Sequence, residues 1–407
     1  MKNIYNAIFG QIISAIGTQI FVISVVLWLK RDFEATNLIG IFLALSTVPS
    51  LIMSPISGAI ADFFSRRKLM IACDTLNSVL LILVGVYLTI TPGLDSKFQL
   101  FIVIVLSLVV LIIQDIFAPA NNSYLSHVIP EDKIQMLFGI RASLLKSTQF
   151  IGQSVGGYLF LNLSIAGICI LNGASFLISA LMELFLEKDQ AMGTTEKRIS
   201  AYINKVKEGF AISLENQPLL FFFLGACFTN GLSAICLGVF PFYVENILKF
   251  ELSYYPFIIS FIGVGAFIAG YTAKYPLLDV NKKIMVPLFL TFPGISFILV
   301  SAFHFNPFIL MFWMFLNGFT FTTIGIYMFK VITVSFKNSH RGRAFAILFS
   351  LSVALNPIGY LLSSYISSHF MENLSQAFLI VGALICLVWT IILINKNNRH
   401  FLLSHDS

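Results

Sequence analysis

"GAIADFFSRRKLM", residues 58–70, sets one aspartate and three cations between two long apolar runs. The run before it starts near Asn37 and the run after it reaches beyond residue 90. So short a polar interval requires the two apolar segments to stand side by side and antiparallel, because the chain has no length for a longer crossing. The fold follows from what such apolar segments must be.

The chain has 407 residues, of which 57% are hydrophobic and 11% charged, and its mean hydropathy is +0.89. A water-soluble domain of that composition would expose large apolar patches. An all-α polytopic membrane protein is expected instead, since a helix needs about 20 apolar residues to cross the hydrocarbon core. Short alternating segments, the mark of a membrane β-barrel, are absent from the sequence. Apolar runs near 5–29, 37–61, 69–91, 98–118, 136–160 and 163–186 predict six spans, and runs near 218–242, 254–273, 284–303, 307–330, 343–367 and 374–395 predict six more. The polar interval 187–217 divides these twelve helices into an N-terminal six-helix bundle, 1–186, and a C-terminal one, 218–407, with a short tail. Val206, Phe210 and Leu214 recur there at helical spacing among charges, so the linker is expected to carry a surface helix.

With the N-terminus in the cytoplasm, alternate loops place Lys30, Arg31, Lys97 and Lys249 outside and every other Lys and Arg inside. The positive-inside rule then predicts both termini in the cytoplasm. The net charge of +6 is accounted for by topology, and no nucleic-acid partner is expected. The first apolar run is too long for a signal-peptide core and has no small-residue cleavage site before Lys30, so it is read as a span. The five cysteines are scattered within spans without CxxC or histidine companions, which predicts neither disulfides nor a metal site.

In the opening stretch Gly58, Asp62, Arg66 and Arg67 fall on the pattern GxxxD(R/K)xGR(R/K), with Phe63 in place of the first cation and Ser65 in place of the second glycine. The sequence here resembles the major facilitator superfamily, which carries that signature in the loop between its second and third helices. The resemblance implies a conformational gate: the glycine permits close helix approach, the aspartate faces the start of the eleventh helix, and the arginine meets an acid ending the fourth. Asp115 is the candidate acid for Arg66, and Arg343 stands at the eleventh span's start. The competing reading makes Arg66, Arg67 and Lys68 topogenic cations beside anionic lipid.

"IGQSVGGYL" in the fifth span resembles the GPxxGG element of drug/proton antiporters, with Gly152, Gly156 and Gly157 kept and Gln153 replacing proline. Small residues so spaced also serve helix packing. "LNPIGYLL", with Asn356, Pro357 and Gly359, is similar to "QSVGGYLF", and "GYTAKYPLLDVNKKIM" is a decayed copy of the opening motif, so the two halves look like an internal repeat. "FAPANNSYLSHVIPEDKI" after the fourth helix and "RGRAFAILFSLSVALNPIG" through the eleventh resemble the macrolide-efflux and enterobactin-exporter branch. That likeness implies export of an amphipathic small molecule, a drug-like compound or a siderophore.

In this fold a substrate cavity is expected near the midplane between the halves, lined by the first, fourth, seventh and tenth helices. Candidates are Gln11, Ser14 and Thr18 on the first, Asn230 on the seventh, Asn317 on the tenth and Asn356 on the eleventh. These neutral groups lie among many of the 42 phenylalanines, which suits an amphiphile better than a sugar or dicarboxylate. Helix-to-helix hydrogen bonding is the competing role for each. Lys146, followed by Gln149, Gln153 and Gly156 along one helix face, is expected to face protein or cavity. The acids Asp74, Asp115 and Glu183 lie toward the cytoplasmic ends of their spans, and Val110 holds the place of the arginine that related antiporters carry mid-way along the fourth helix. Protons are the candidate coupling ion, with no central carrier in the sequence.

Catalytic motifs are thin. "GVGAFIAG", 263–270, lies inside a span without a preceding strand, no Walker A sequence occurs, and HExxH and DDxxD are missing. A secondary active exporter working by alternating access is therefore expected: not an enzyme, with no cofactor or metal, monomeric, in the bacterial cytoplasmic membrane. An importer on the same fold and a non-transporting membrane sensor are the alternatives.

Overall fold

The computed structural model describes residues 2–33, 36–93, 95–129, 134–187, 211, 216–272, 281–302, 306–336 and 338–404. Within those segments the side chains of Gly58, Asp62, Lys146 and Arg343 fall outside the described set, as does all of the expected linker helix except residue 211.

Every regular element among the described residues is a helix. The first six are α1 (Lys2–Phe33), α2 (Thr36–Phe63), α3 (Arg66–Ile90), α4 (Ser96–Val128), α5 (Ile134–Asn162) and α6 (Ile165–Glu183). After the linker come α7 (Gln217–Phe242), closed by a π turn at Tyr243–Ile247, then α8 (Tyr254–Thr272), α9 (Lys282–Ala302) and α10 (Pro307–Ser335). The chain ends with α11 (Asn338–Val353), α12 (Asn356–His369), α13 (Leu374–Ile394) and α14 (Lys396–Ser404). Ten helical stretches are long and apolar enough to cross a bilayer, with α11 and α12 counting as one span over Ile347–His369. α2 and α5 are 28 and 29 residues long but stand outside those ten, α2 holding a shorter apolar stretch, Asn37–Met53. Phe101, Ile90 and Phe308 are among many large apolar side chains left exposed, as lipid-facing surface requires.

Two span boundaries differ from expectation. The stretch read as following the fourth helix is in fact its last turns, because α4 runs through Pro119 to Val128. Pro119 lacks the N–H that would bond the Asp115 carbonyl, but a membrane helix tolerates that loss when neighbouring helices supply compensating contacts. The eleventh span is broken between α11 and α12, where Pro357 in the first turn of α12 brings no N–H to the ladder.

The chain forms two compact units, one of residues 1–35 and 45–197, the other of 36–44 and 198–407. In the first unit, α3 and α6 run antiparallel at close range. Gly85 stands against the Ala166 carbonyl and Ile170, and Gly173 against Ile82 and the Ser78 carbonyl, so a Cβ at either place would collide with the facing helix. At one end of this unit Met70, Phe117, Ala120 and Tyr124 form a fully buried core with Ile4 and Ala7 of α1.

In the second unit an aromatic core gathers Phe240, Tyr243, Phe297 and Phe378, with the Tyr243 and Phe378 rings 4.6 Å apart. The Tyr243 hydroxyl donates to the Val300 carbonyl at 3.1 Å, which satisfies its polar end inside that core. The first turns of α2 belong to this unit. Ser364 Oγ donates to the Asn37 carbonyl at 2.5 Å, and Gly40 lies against Ser364 and the Tyr360 carbonyl.

Candidate functional site

Asp62 lies in the last turn of α2, and only Phe64 and Ser65 separate that helix from α3. Ser65 caps α3, accepting from the Lys68 amide at 3.5 Å. Both charge placements oppose the helix dipoles: an anion ends one helix and three cations begin the next. The cations answer this by reaching elsewhere. Arg67 donates from Nη2 to the Leu184 carbonyl at 2.6 Å and from Nε to the Glu183 carbonyl at 3.3 Å, which occupies acceptors left open where α6 ends. Arg66 is buried. Asp115 takes the Ser50 hydroxyl of α2 at 3.1 Å to both carboxylate oxygens, so its described hydrogen-bond donor is a serine on α2.

A second polar cluster joins α1, α4 and α5. Gln11 Oε1 accepts from Asn121 Nδ2 at 2.9 Å and from Arg141 Nε at 2.7 Å. Asn121 is 0% exposed and Arg141 8%, so both donors depend on protein partners. Arg141 and Arg66 are the buried cations among the described residues. The sequence marks Gln11 as a cavity candidate, and the structure gives it this bridging position. Neither Arg141 nor Asn121 is among its candidates. The signal for Asn121 was weak because the chain after Pro119 reads as a loop, where an asparagine is unremarkable.

The remaining candidates divide between packing and open polar groups. Ser14 Oγ bonds the Gln11 carbonyl at 3.2 Å and Thr18 Oγ1 the Ser14 carbonyl at 2.9 Å, so each hydroxyl is satisfied by its own helix. Gly152 and Gly156 let α5 approach α1 at Gln19 and Ile20, and Ser24 Oγ donates to the Gly156 carbonyl at 3.5 Å. Gly157 is buried, Gln149 half-buried, and Gln153 holds a buried Oε1 without a hydrogen-bond partner. In the second unit Asn317 Nδ2 donates to Ser296 Oγ at 2.8 Å, and Asn230 Nδ2 to the Ser352 carbonyl at 2.9 Å, beside the break in the eleventh span. Gly359 stands against the Gly231 carbonyl, and Asn356 Oδ1 is buried without a partner.

Polar clusters buried inside helical bundles whose outer surface is apolar define a polytopic membrane protein with a polar interior. The chain belongs to the Major Facilitator Superfamily, whose profile matches residues 7–300. It is a membrane transporter of that type. It is 23% identical to the uncharacterized MFS-type transporter YfiS of Bacillus subtilis (strain 168) over a 429-residue alignment, covering 100% of this chain and 97% of YfiS. It is 24% identical to the uncharacterized MFS-type transporter YkuC of the same strain over 244 residues, covering 56% of this chain and 54% of YkuC. Among solved structures, the nucleoside transporter NupG superposes with a TM-score of 0.75 at 12% identity, over 97% of this chain and 99% of NupG. A mutant of the peptide transporter POT in complex with sulfate gives 0.77 at 12% identity, over 99% of this chain and 96% of POT. At such identity these structures share the fold alone.

Proposed function

We propose that this chain exports a small amphipathic molecule, drug-like or siderophore-like, by alternating access across the bacterial cytoplasmic membrane. Residues 1–186 and 218–407 act as the six-helix halves, joined by the segment 187–217, with both termini in the cytoplasm and the chain working as a monomer. The observation that carries the reading is the make-up of the Gln11–Asn121–Arg141 cluster: two carboxamides and one guanidinium, bonded across three helices in apolar surroundings. Such a set suits one polar or anionic head group and lacks the dense polar coordination that a sugar or dicarboxylate demands. Outward transport is supported by the resemblance of residues 117–134 and 341–359 to the macrolide-efflux and enterobactin-exporter branch. Gly58, Asp62, Arg66, Arg67, Asp115 and Arg343 form the gate in this reading, and protons are the candidate driving ion.

Cells expressing the chain are expected to accumulate less of a susceptible dye, macrolide or siderophore than cells lacking it. Inside-out vesicles, in which an exporter loads the lumen, check the direction. Equal accumulation across all three compound classes would count against export, and loading only of right-side-out vesicles would assign import.

A further inference from the structure

The α3–α6 interface of the first unit buries two carboxylates that the transport reading leaves without a role. Gly85 facing Ala166 and Ile170, and Gly173 facing Ser78 and Ile82, set an antiparallel register. Carried two turns further along, that register brings Asp74 to the Ser179–Glu183 turn of α6. Asp74 and Glu183 are each 0% exposed, and no described group completes a hydrogen bond to any of their four oxygens. The two carboxylates lie within electrostatic reach of each other.

Polar groups surround the pair without pairing among themselves. Asn77, one turn along α3 from Asp74, is 0% exposed and neither its Nδ2 nor its Oδ1 has a partner. Ser179, one turn before Glu183 and also 0% exposed, has an unpartnered hydroxyl. Ser179 and Gln114 of α4 approach Asp74, yet neither reaches hydrogen-bond geometry. Behind Ser179 on α1 stands Gly10, whose missing side chain leaves its hydroxyl room.

No described hydrogen bond from a neighbouring charge reaches the four carboxylate oxygens. Arg67 spends its guanidinium on the backbone carbonyls of Glu183 and Leu184, not on the Glu183 carboxylate. Arg66 stands eight residues before Asp74, about 12 Å along the helix axis. Cys73 adds a thiol beside both acids. On α4, Asp115 is bonded to Ser50 and the Tyr124 hydroxyl donates to the Glu187 carbonyl at 3.4 Å. The α1 face toward Ser179 presents Gly10, and Arg141 of α5 is directed to Gln11.

Two anions held together away from water, with neutral oxygens and amides aimed at them, are stable only with a compensating positive charge. We propose that Asp74 and Glu183, with Asn77 and Ser179, form a buried binding site for one monovalent cation, either a proton or Na⁺. Its use as the coupling site rests on the transporter reading; its existence does not.

The test uses the full-length chain purified in detergent. Melting temperature is followed as NaCl replaces choline chloride at constant ionic strength, and again across a pH titration, with infrared detection of the protonated-carboxyl C=O stretch. A sodium occupant predicts a melting temperature raised by NaCl and not by choline chloride. A proton occupant predicts a carboxyl band that titrates with pH and ignores Na⁺. In Asp74→Asn and Glu183→Gln, both isosteric, the response is expected to shrink, and in the double variant to vanish. Should a carboxyl variant fail to fold, Ser179→Ala keeps both acids and is expected to weaken the wild-type response. The proposal is overturned if the wild type shows neither response, if the double variant responds as the wild type does, or if Ser179→Ala leaves the response unchanged. An intact cation response in a protein that exports none of the tested compounds would instead count against the proposed export alone.

Discussion

Gln11→Leu is the sharpest test of the cluster joining α1, α4 and α5. One carbonyl oxygen serves two buried donors, at 2.9 Å for Asn121 Nδ2 and 2.7 Å for Arg141 Nε. A leucine of similar size keeps the packing and removes the acceptor that both donors share. Side-chain hydrogen bonds between membrane helices average about 0.6 kcal/mol in double-mutant cycles. A bond from a charged donor is worth about 1.5–3 kcal/mol. The expected loss is therefore about 2–4 kcal/mol, most of it on the arginine side. Equilibrium unfolding in mixed micelles, run on Gln11→Leu, Arg141→Leu and the double variant, separates the terms. The cycle is expected to return a coupling of about 1.5–3 kcal/mol between Gln11 and Arg141. A coupling under about 0.5 kcal/mol, the limit of additivity for independent sites, would mean that the hydrogen bond does not tie these helices together.

Four further outcomes are expected. Arg67→Ala frees the Glu183 and Leu184 carbonyls, and hydrogen exchange in the last turn of α6 is expected to quicken while that at its start stays unchanged. Gly173→Ala brings a Cβ to 2.6 Å from Ile82 Cγ1 and 3.1 Å from the Ser78 carbonyl; unfolding should become easier by about 1–3 kcal/mol. Gly93→Ala, with nothing within 4 Å, should stay within about 0.5 kcal/mol of wild type. Asp62→Asn is expected to slow substrate transport while leaving substrate affinity within a few-fold, as a gate residue should; wild-type rates in reconstituted vesicles would rule that role out.

Of the fold, the parts written in local chemistry were legible. Apolar runs of bilayer length, separated by loops as short as the two residues between α2 and α3, announce antiparallel spans directly. Where a span ends was less legible. Pro119 and the asparagines after it carry the composition of a loop, and only the presence of neighbouring helices lets α4 continue to Val128. The same limit governs the site. Gln11, Ser14 and Thr18 look equivalent along one helix, yet two hydroxyls fold back on their own backbone while the carboxamide crosses to α4 and α5. A serine reaches its own preceding carbonyls and a glutamine reaches past them, but which neighbour it meets depends on the packing of other helices.

The sequence alone determined that this chain is a multi-pass membrane protein and which loop carries the family's charged signature, because hydropathy and spacing are properties of contiguous residues. Tertiary structure decided that residues 11, 121 and 141 share one oxygen, and that Asp74 and Glu183 are buried together. Those meetings depend on helix register across interfaces, set by where glycines allow backbones to touch, and no local window of sequence contains both sides of such a contact.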